Sequence, residues 1–137
     1  MTRASTWSVV ESERGWLVDP LNAEIWQIRV DYAFTLIMDE FISLRIESEF
    51  DYFDGEKVIR INPEITADQA PLLTLHYVIV TRLDLTRAGV LTVHFADGRS
   101  ILVKPNSQFE SFSLGIRGTG LFIGSVGGEV SYFASDA

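Results

Sequence analysis

Between Trp26 and Met38 every second residue is apolar. Trp26, Ile28, Val30, Tyr32, Phe34, Leu36 and Met38 alternate with Gln27, Arg29, Asp31 and Thr35. A period of two follows the alternation of side chains along a β-strand rather than the 3.6-residue period of a helix, so the stretch belongs in a sheet with one face buried. The run is long against a usual strand of about five or six residues, which predicts a bend or bulge near residues 31–33. The same alternation resumes at Leu44, Ile46, Ser48 and Phe50, with Ser43, Arg45, Glu47 and Glu49 facing the other way. A turn near residues 39–41 joins the two stretches as a hairpin.

The rest of the chain reads similarly. Asp54-Gly55 is a turn signal, followed by a short strand over 58–61 that Asn62-Pro63 ends. One short helix is expected over 68–76, because starting at Asp68 keeps Pro71 in the first turn; Leu72, Leu73 and Leu75 supply its buried side. Strands return over 77–85, 90–95 and 99–103, with Leu91, Val93 and Phe95 inward and a tight turn at Asp97-Gly98. Glycines between Gly115 and Gly128 divide the tail into two or three further strands. The fold class is therefore mainly β (α+β): an antiparallel curved sheet or sandwich from two hairpin-containing halves, with one short helix between them.

The halves can be aligned. Arg29-Val30-Asp31 resembles Arg82-Leu83-Asp84, and four inserted residues, 86–89, then bring Phe34, Leu36 and Met38 opposite Leu91, Val93 and Phe95. Glu40 matches Asp97, and Leu44 and Ile46 match Ile101 and Val103. Two unrelated hairpins share such alternation too, so duplication and coincidence both stand. Residues 1–15, rich in Ser, Thr, Arg and Glu, read as a loosely held N-terminal extension with room for an added edge strand; residues 16–137 read as a single β-rich domain.

Nineteen acidic against eleven basic residues give a net charge of −8. The basic residues are scattered, so the chain is expected to be repelled by nucleic acid and anionic membranes and to favour a basic protein partner. No cysteine is present, which removes disulfides and zinc-thiolate sites and fits a cytoplasmic protein. The N-terminus lacks the apolar core of a secretory signal, and no stretch reaches the roughly 18 apolar residues of a membrane helix.

A catalytic constellation is not legible. His76 and His94 have no partner at a metal-ligand spacing, and the glycine clusters lack the Lys-Ser/Thr and flanking helix of a phosphate loop. The expectation is no enzyme, no catalytic residues, no metal and no cofactor. One feature stands apart. Glu47, Glu49, Asp51, Asp54 and Glu56 place five carboxylates within ten residues, with Tyr52 and Phe53 among them. Acidic groups around aromatic anchors form a candidate partner-binding patch, against the alternative of a charged edge strand that deters aggregation.

Several of these elements occur together in a known order: Asp31-Tyr32-Ala33-Phe34, Phe50, Asp54-Gly55, Phe95-Ala96-Asp97-Gly98, Phe109-Glu110 and Gly127-Gly128. The chain in this resembles an uncharacterised bacterial domain-of-unknown-function family that reads DYxFxL, FxDG, a Tyr-Glu-x-Trp element and a closing Gly-Gly turn. Here Tyr-Glu-x-Trp has become Phe109-Glu110-Ser111-Phe112, and the closing Trp is Phe133. At the level of class, small acidic β-rich bacterial proteins of this type are similar to the immunity proteins of toxin systems. The resemblance implies a non-enzymatic inhibitor that binds and neutralises a cognate, basic toxin domain. The alternative is a small-molecule-binding or enzymatic β-domain with a pocket between its sheets.

Overall fold

The computed structural model describes residues 8–135. Two short strands, β1 (Val10–Ser12) and β2 (Gly15–Val18), precede a meander of β3 (Ala23–Val30), β4 (Phe34–Met38) and β5 (Ile42–Ile46). A hairpin of β6 (Phe50–Phe53) and β7 (Val58–Ile61) leads into a 3-10 helix over Thr66–Leu75. A second meander follows, β8 (Ile79–Thr86), β9 (Leu91–Phe95) and β10 (Ser100–Val103), and then β11 (Phe112–Ile116), β12 (Gly120–Gly124) and β13 (Val130–Ala134).

Every pairing is antiparallel, and the strands form one open sheet in the order β13-β12-β11-β5-β4-β3-β8-β9-β10-β6-β7. β2 shares an edge of β8 with β3, and β1 lies outside β2. The sheet turns back on itself around a single core. Phe34 of β4 stacks on Phe50 of β6 with ring centroids 5.8 Å apart, and Trp16 of β2 meets Phe122 of β12 edge to face at 5.3 Å. The alternating residues expected inside, Phe34, Leu36, Leu91, Val93 and Phe95, are all buried there. Each such side chain contributes on the order of 1.5–3 kcal/mol.

The two meanders repeat each other. Phe34 and Leu36 face Ile46 and Leu44 across β4–β5, as Leu91 and Val93 face Val103 and Ile101 across β9–β10. A bulge interrupts β3 between Ile25 and Gln27, and another interrupts β8 between Val80 and Arg82. Because Val30 faces Phe34 and Leu85 faces Leu91, Arg29 corresponds to Asp84 and not to Arg82. The likeness of Arg29-Val30-Asp31 to Arg82-Leu83-Asp84 is thus out of register by two residues, while the matches in the next two strands hold. Each repeat then places its hairpin on the other: β6 pairs with β10, and β11 pairs with β5.

The bulge overturns part of the expected core. Trp26 is its extra residue, so inward parity belongs to Ala23 and Ile25 before it and to the side of Ile28 and Val30 after it. Trp26 is 43% exposed and Val30 37%; Ile28 is half-buried. β8 pairs with β3 only at Ala23 and Glu24, so the far half of β3 lacks a strand on that edge among the described residues. Residues 31–33 prove to be a full reversal between β3 and β4, in which Asp31 Oδ1 accepts the Ala33 N–H at 2.9 Å.

The helix carries another correction. Gln69, Leu72 and Leu75 are buried at three-residue spacing, the period of a 3-10 helix, whereas Leu73 is exposed. Gln69 Nε2 donates to the Pro63 carbonyl at 2.7 Å. Arg99 fastens the helix to the sheet. Its Nη1 donates to Thr74 Oγ1 at 2.7 Å and to the Tyr52 hydroxyl at 3.1 Å, and its Nη2 lies 2.7 Å from Asp97 Oδ2.

Of the expected loose extension, residues 1–7 fall outside the described residues. The remainder includes the added edge strand for which the sequence leaves room, β1, exposed along its length. Val10 pairs with Leu17, Ser12 with Gly15, and Glu11 accepts from Arg87 at 2.7 Å. Gly15, at φ 141°, lets β2 close on β8, since a Cβ there would collide with the Leu85 carbonyl.

Candidate functional site

The acidic run lies on the crossover from β5 to β6 and on the β6–β7 hairpin, at one end of the sheet path. Glu47 continues the β5 ladder, its N–H donating to the Ser111 carbonyl at 3.0 Å, and its carboxylate lies 3.8 Å from Arg45. Arg45 also reaches Asp31 at 3.3 Å. After buried Ser48 the chain crosses to the other half of the sheet, where Glu49 and Asp51 both meet Arg60, at 3.4 and 3.1 Å.

Along β6 the pleat decides the rest. Phe50 and Tyr52 point into the core, Asp51 and Phe53 outward. Tyr52 is only 1% exposed and its hydroxyl accepts from Arg99, so it does not belong to the surface patch. The parity that places Asp51 outside places Tyr52 inside. Asp54 is turned onto its own loop, with Oδ1 accepting the N–H groups of Glu56 and Lys57, both at 2.9 Å. The Lys57 N–H, then that of Glu56, holds its carboxyl below the usual aspartate value. Glu56 is exposed beside it and makes no ion pair among the described residues.

The structure therefore brings together Glu49, Asp51 and half-buried Phe53 on the outer face of β6, with Asp54 and Glu56 at the hairpin tip. Glu47 stands apart on the other half. The backbone adds what composition did not reveal. Among the described residues β7 is hydrogen-bonded to β6 alone and ends the sheet path. The Asp54 N–H donates to the Lys57 carbonyl at 3.1 Å. Counting down the antiparallel ladder from that pair, the N–H and C=O groups of Val58 and Arg60 point away from β6. Val58, 65% exposed, extends the apolar spot of Phe53, which it faces across the pair.

Other chemistry is sparse. His76 Nε2 lies 2.9 Å from the Trp26 carbonyl and its ring stacks on Tyr77; His94 is half-buried on β9. Among the described residues no three His, Asp or Glu side chains converge as metal ligands. Between the two halves of the sheet, beneath Trp16 and Phe122, the open volume is about 10 Å³, near the size of a single water site. No helix among the described residues is long and apolar enough to cross a membrane.

A search of curated proteins and a search of solved structures each found no match. A family model matches residues 16–134, which takes in β3 to β13 in full and β2 but for Gly15, and leaves out β1. The chain belongs to the family of unknown function DUF6188.

Proposed function

We propose that the protein is a non-enzymatic binding module that takes a basic segment of a partner protein onto the open edge of β7, and that the partner is a toxin domain neutralised by this contact. One observation carries the reading. The unpaired edge of β7 and the carboxylates of Glu49, Asp51 and Glu56 lie on the same strand pair, with Phe53 and Val58 between them. An added strand would gain the outward N–H and C=O groups of Val58 and Arg60 as partners, the mode by which extended peptides join sheets. Basic side chains on that strand would meet the carboxylates. Arg60 already sits between two of these, but exposed pairs hold only about 0–1 kcal/mol, so a partner guanidinium displaces it at little cost. The net charge of −8 favours encounter with a basic surface.

The test is coexpression with the product of the adjacent gene, then surface-based kinetics on the purified pair at two ionic strengths. Association should slow as salt rises, and Glu49→Lys with Asp51→Lys should slow it about tenfold or more. Val58→Pro deletes an outward N–H that the fold does not use, so dissociation should quicken while the melting temperature holds. Unchanged rates for both variants would remove this edge from the interface.

A further inference from the structure

β12–β13, at the far end of the sheet path from β7, approaches β1–β2, which branches from β8, without pairing among the described residues. A solvent-open cavity of about 700 Å³ lies between them, within the range of small-molecule sites. Its walls are aromatic. Phe122 and Tyr132 stack with centroids 4.6 Å apart, Trp16 meets Phe122 edge to face, and Phe41 from the β4–β5 turn stands on the rim with Arg117. The Tyr132 hydroxyl donates to the Thr119 carbonyl at 2.9 Å, which holds the ring in place as a wall.

Two guanidinium groups rest on these rings, Arg87 over Trp16 at 4.2 Å and Arg117 over Phe41 at 5.9 Å. Their charges are answered differently. Arg87 donates to Glu11 at 2.7 Å and to the Ser12 carbonyl at 2.8 Å. Arg117, whose backbone N–H bonds the Phe41 carbonyl, has no carboxylate within ion-pair distance among the described residues. An exposed cation at the mouth of an aromatic cavity selects for a ligand with a flat apolar body and an anionic end.

We propose that this cavity binds small aromatic carboxylic acids, with the ring lodged against Trp16, Phe41 and Tyr132 and the carboxylate on Arg117. The planar guanidinium can donate two parallel hydrogen bonds to a carboxylate, which an ammonium cannot. A cationic ligand is disfavoured because guanidinium groups already cover one face of Trp16 and of Phe41, and because Arg117 repels it. The site is separate from the β7 edge, so it stands or falls independently of the binding function proposed there.

The test is an NMR titration of the full chain with three probes of one shape: 2-naphthoate, 2-naphthylmethanol and 2-naphthylmethylammonium. Saturable shifts at Gly118, Thr119 and the Trp16 indole N–H are expected for 2-naphthoate, with the ammonium probe at least about tenfold weaker. Arg117→Gln should weaken 2-naphthoate about tenfold, which is about 1.4 kcal/mol, and leave the alcohol unchanged. Phe41→Ala should weaken both, with the melting temperature as the control for folding. Equal or tighter binding of the ammonium probe, no saturation by any probe, or an Arg117→Gln variant that binds 2-naphthoate like the parent protein would each overturn the proposal.

Discussion

Trp26 shows how one residue can leave the core without breaking the pattern around it. It is among the largest apolar side chains of the chain, yet the bulge in β3 turns it outward, while Phe34 four positions after Val30 is fully buried against Phe50. Trp26→Ala should therefore cost less than about 1 kcal/mol, and Phe34→Ala about 3–5 kcal/mol, measured by urea unfolding. Equal losses would place Trp26 in the core after all. Charges at the turns act at the same scale. Hydrogen bonding from Arg99 lowers the Asp97 carboxyl, as the Ala33 N–H lowers Asp31 and the Lys57 N–H lowers Asp54. Carboxyls depressed by folding stabilise fully above the ordinary value of about 3.9 and lose that contribution as pH falls through their lowered values. Stability should fall on acidification below about pH 4, and Asp97→Asn should flatten part of that fall. A pH profile identical for variant and parent would show that the Arg99 contact does not bear on folding.

Among the elements, the 3-10 helix is the one whose type matters most for its buried side. An α-helix from residue 68 would have buried Leu72, Leu73 and Leu75; the tighter winding buries Gln69, Leu72 and Leu75 instead. Pro71 lies inside the segment, where its missing N–H and its ring disfavour a continuous α-helical ladder. Leu72→Ala and Leu75→Ala should each cost about 2–5 kcal/mol, whereas Leu73→Ala should change stability by less than about 0.5 kcal/mol. Thermal melts of the three variants separate the windings, because an α-helical segment would make the Leu73 variant as unstable as its neighbours. The edge strands differ as elements too. β7 carries Arg60 and follows Lys57, charges that guard an edge against copies of itself while leaving it open to a segment of complementary composition.

For the molecule as a whole, the exchange of hairpins between the two repeats ties the halves into one cooperative unit. The β6–β7 hairpin of the first repeat finds its partner strand in β10, and β11–β12 of the second finds its own in β5. Neither half can complete its sheet alone, and both contribute to the same core. Expressed separately, residues 1–63 and 64–137 should give no cooperative melting transition by circular dichroism; mixed at equal concentration, they should recover β-signal and a transition. A cooperative melt from either fragment alone would mean that its meander is stable without the exchanged hairpin.

The pleat is a local property, so alternation of apolar and polar residues was enough to assign inner and outer faces in β4, β5, β9 and β10, and Asp54-Gly55 and Asp97-Gly98 marked the β6–β7 and β9–β10 turns. It also placed Asp51 outside; carried one residue further, the same count puts Tyr52 inside, against its reading as an anchor of the surface patch. Other features depend on contacts distant in the chain. Ile25, Trp26 and Ile28 are all apolar, so no local pattern says which of them the bulge expels; pairing with β4 decides it. That β7 ends the sheet follows from where the crossover after β5 delivers β6, beside β10 rather than beside its own meander. The aromatic cavity draws Trp16, Phe41, Phe122 and Tyr132 from separate elements, with no spacing that links them. Local periodicity encodes the face of a strand, because successive side chains must alternate; hydrogen-bond partners and the closure of the sheet are chosen only when distant strands meet.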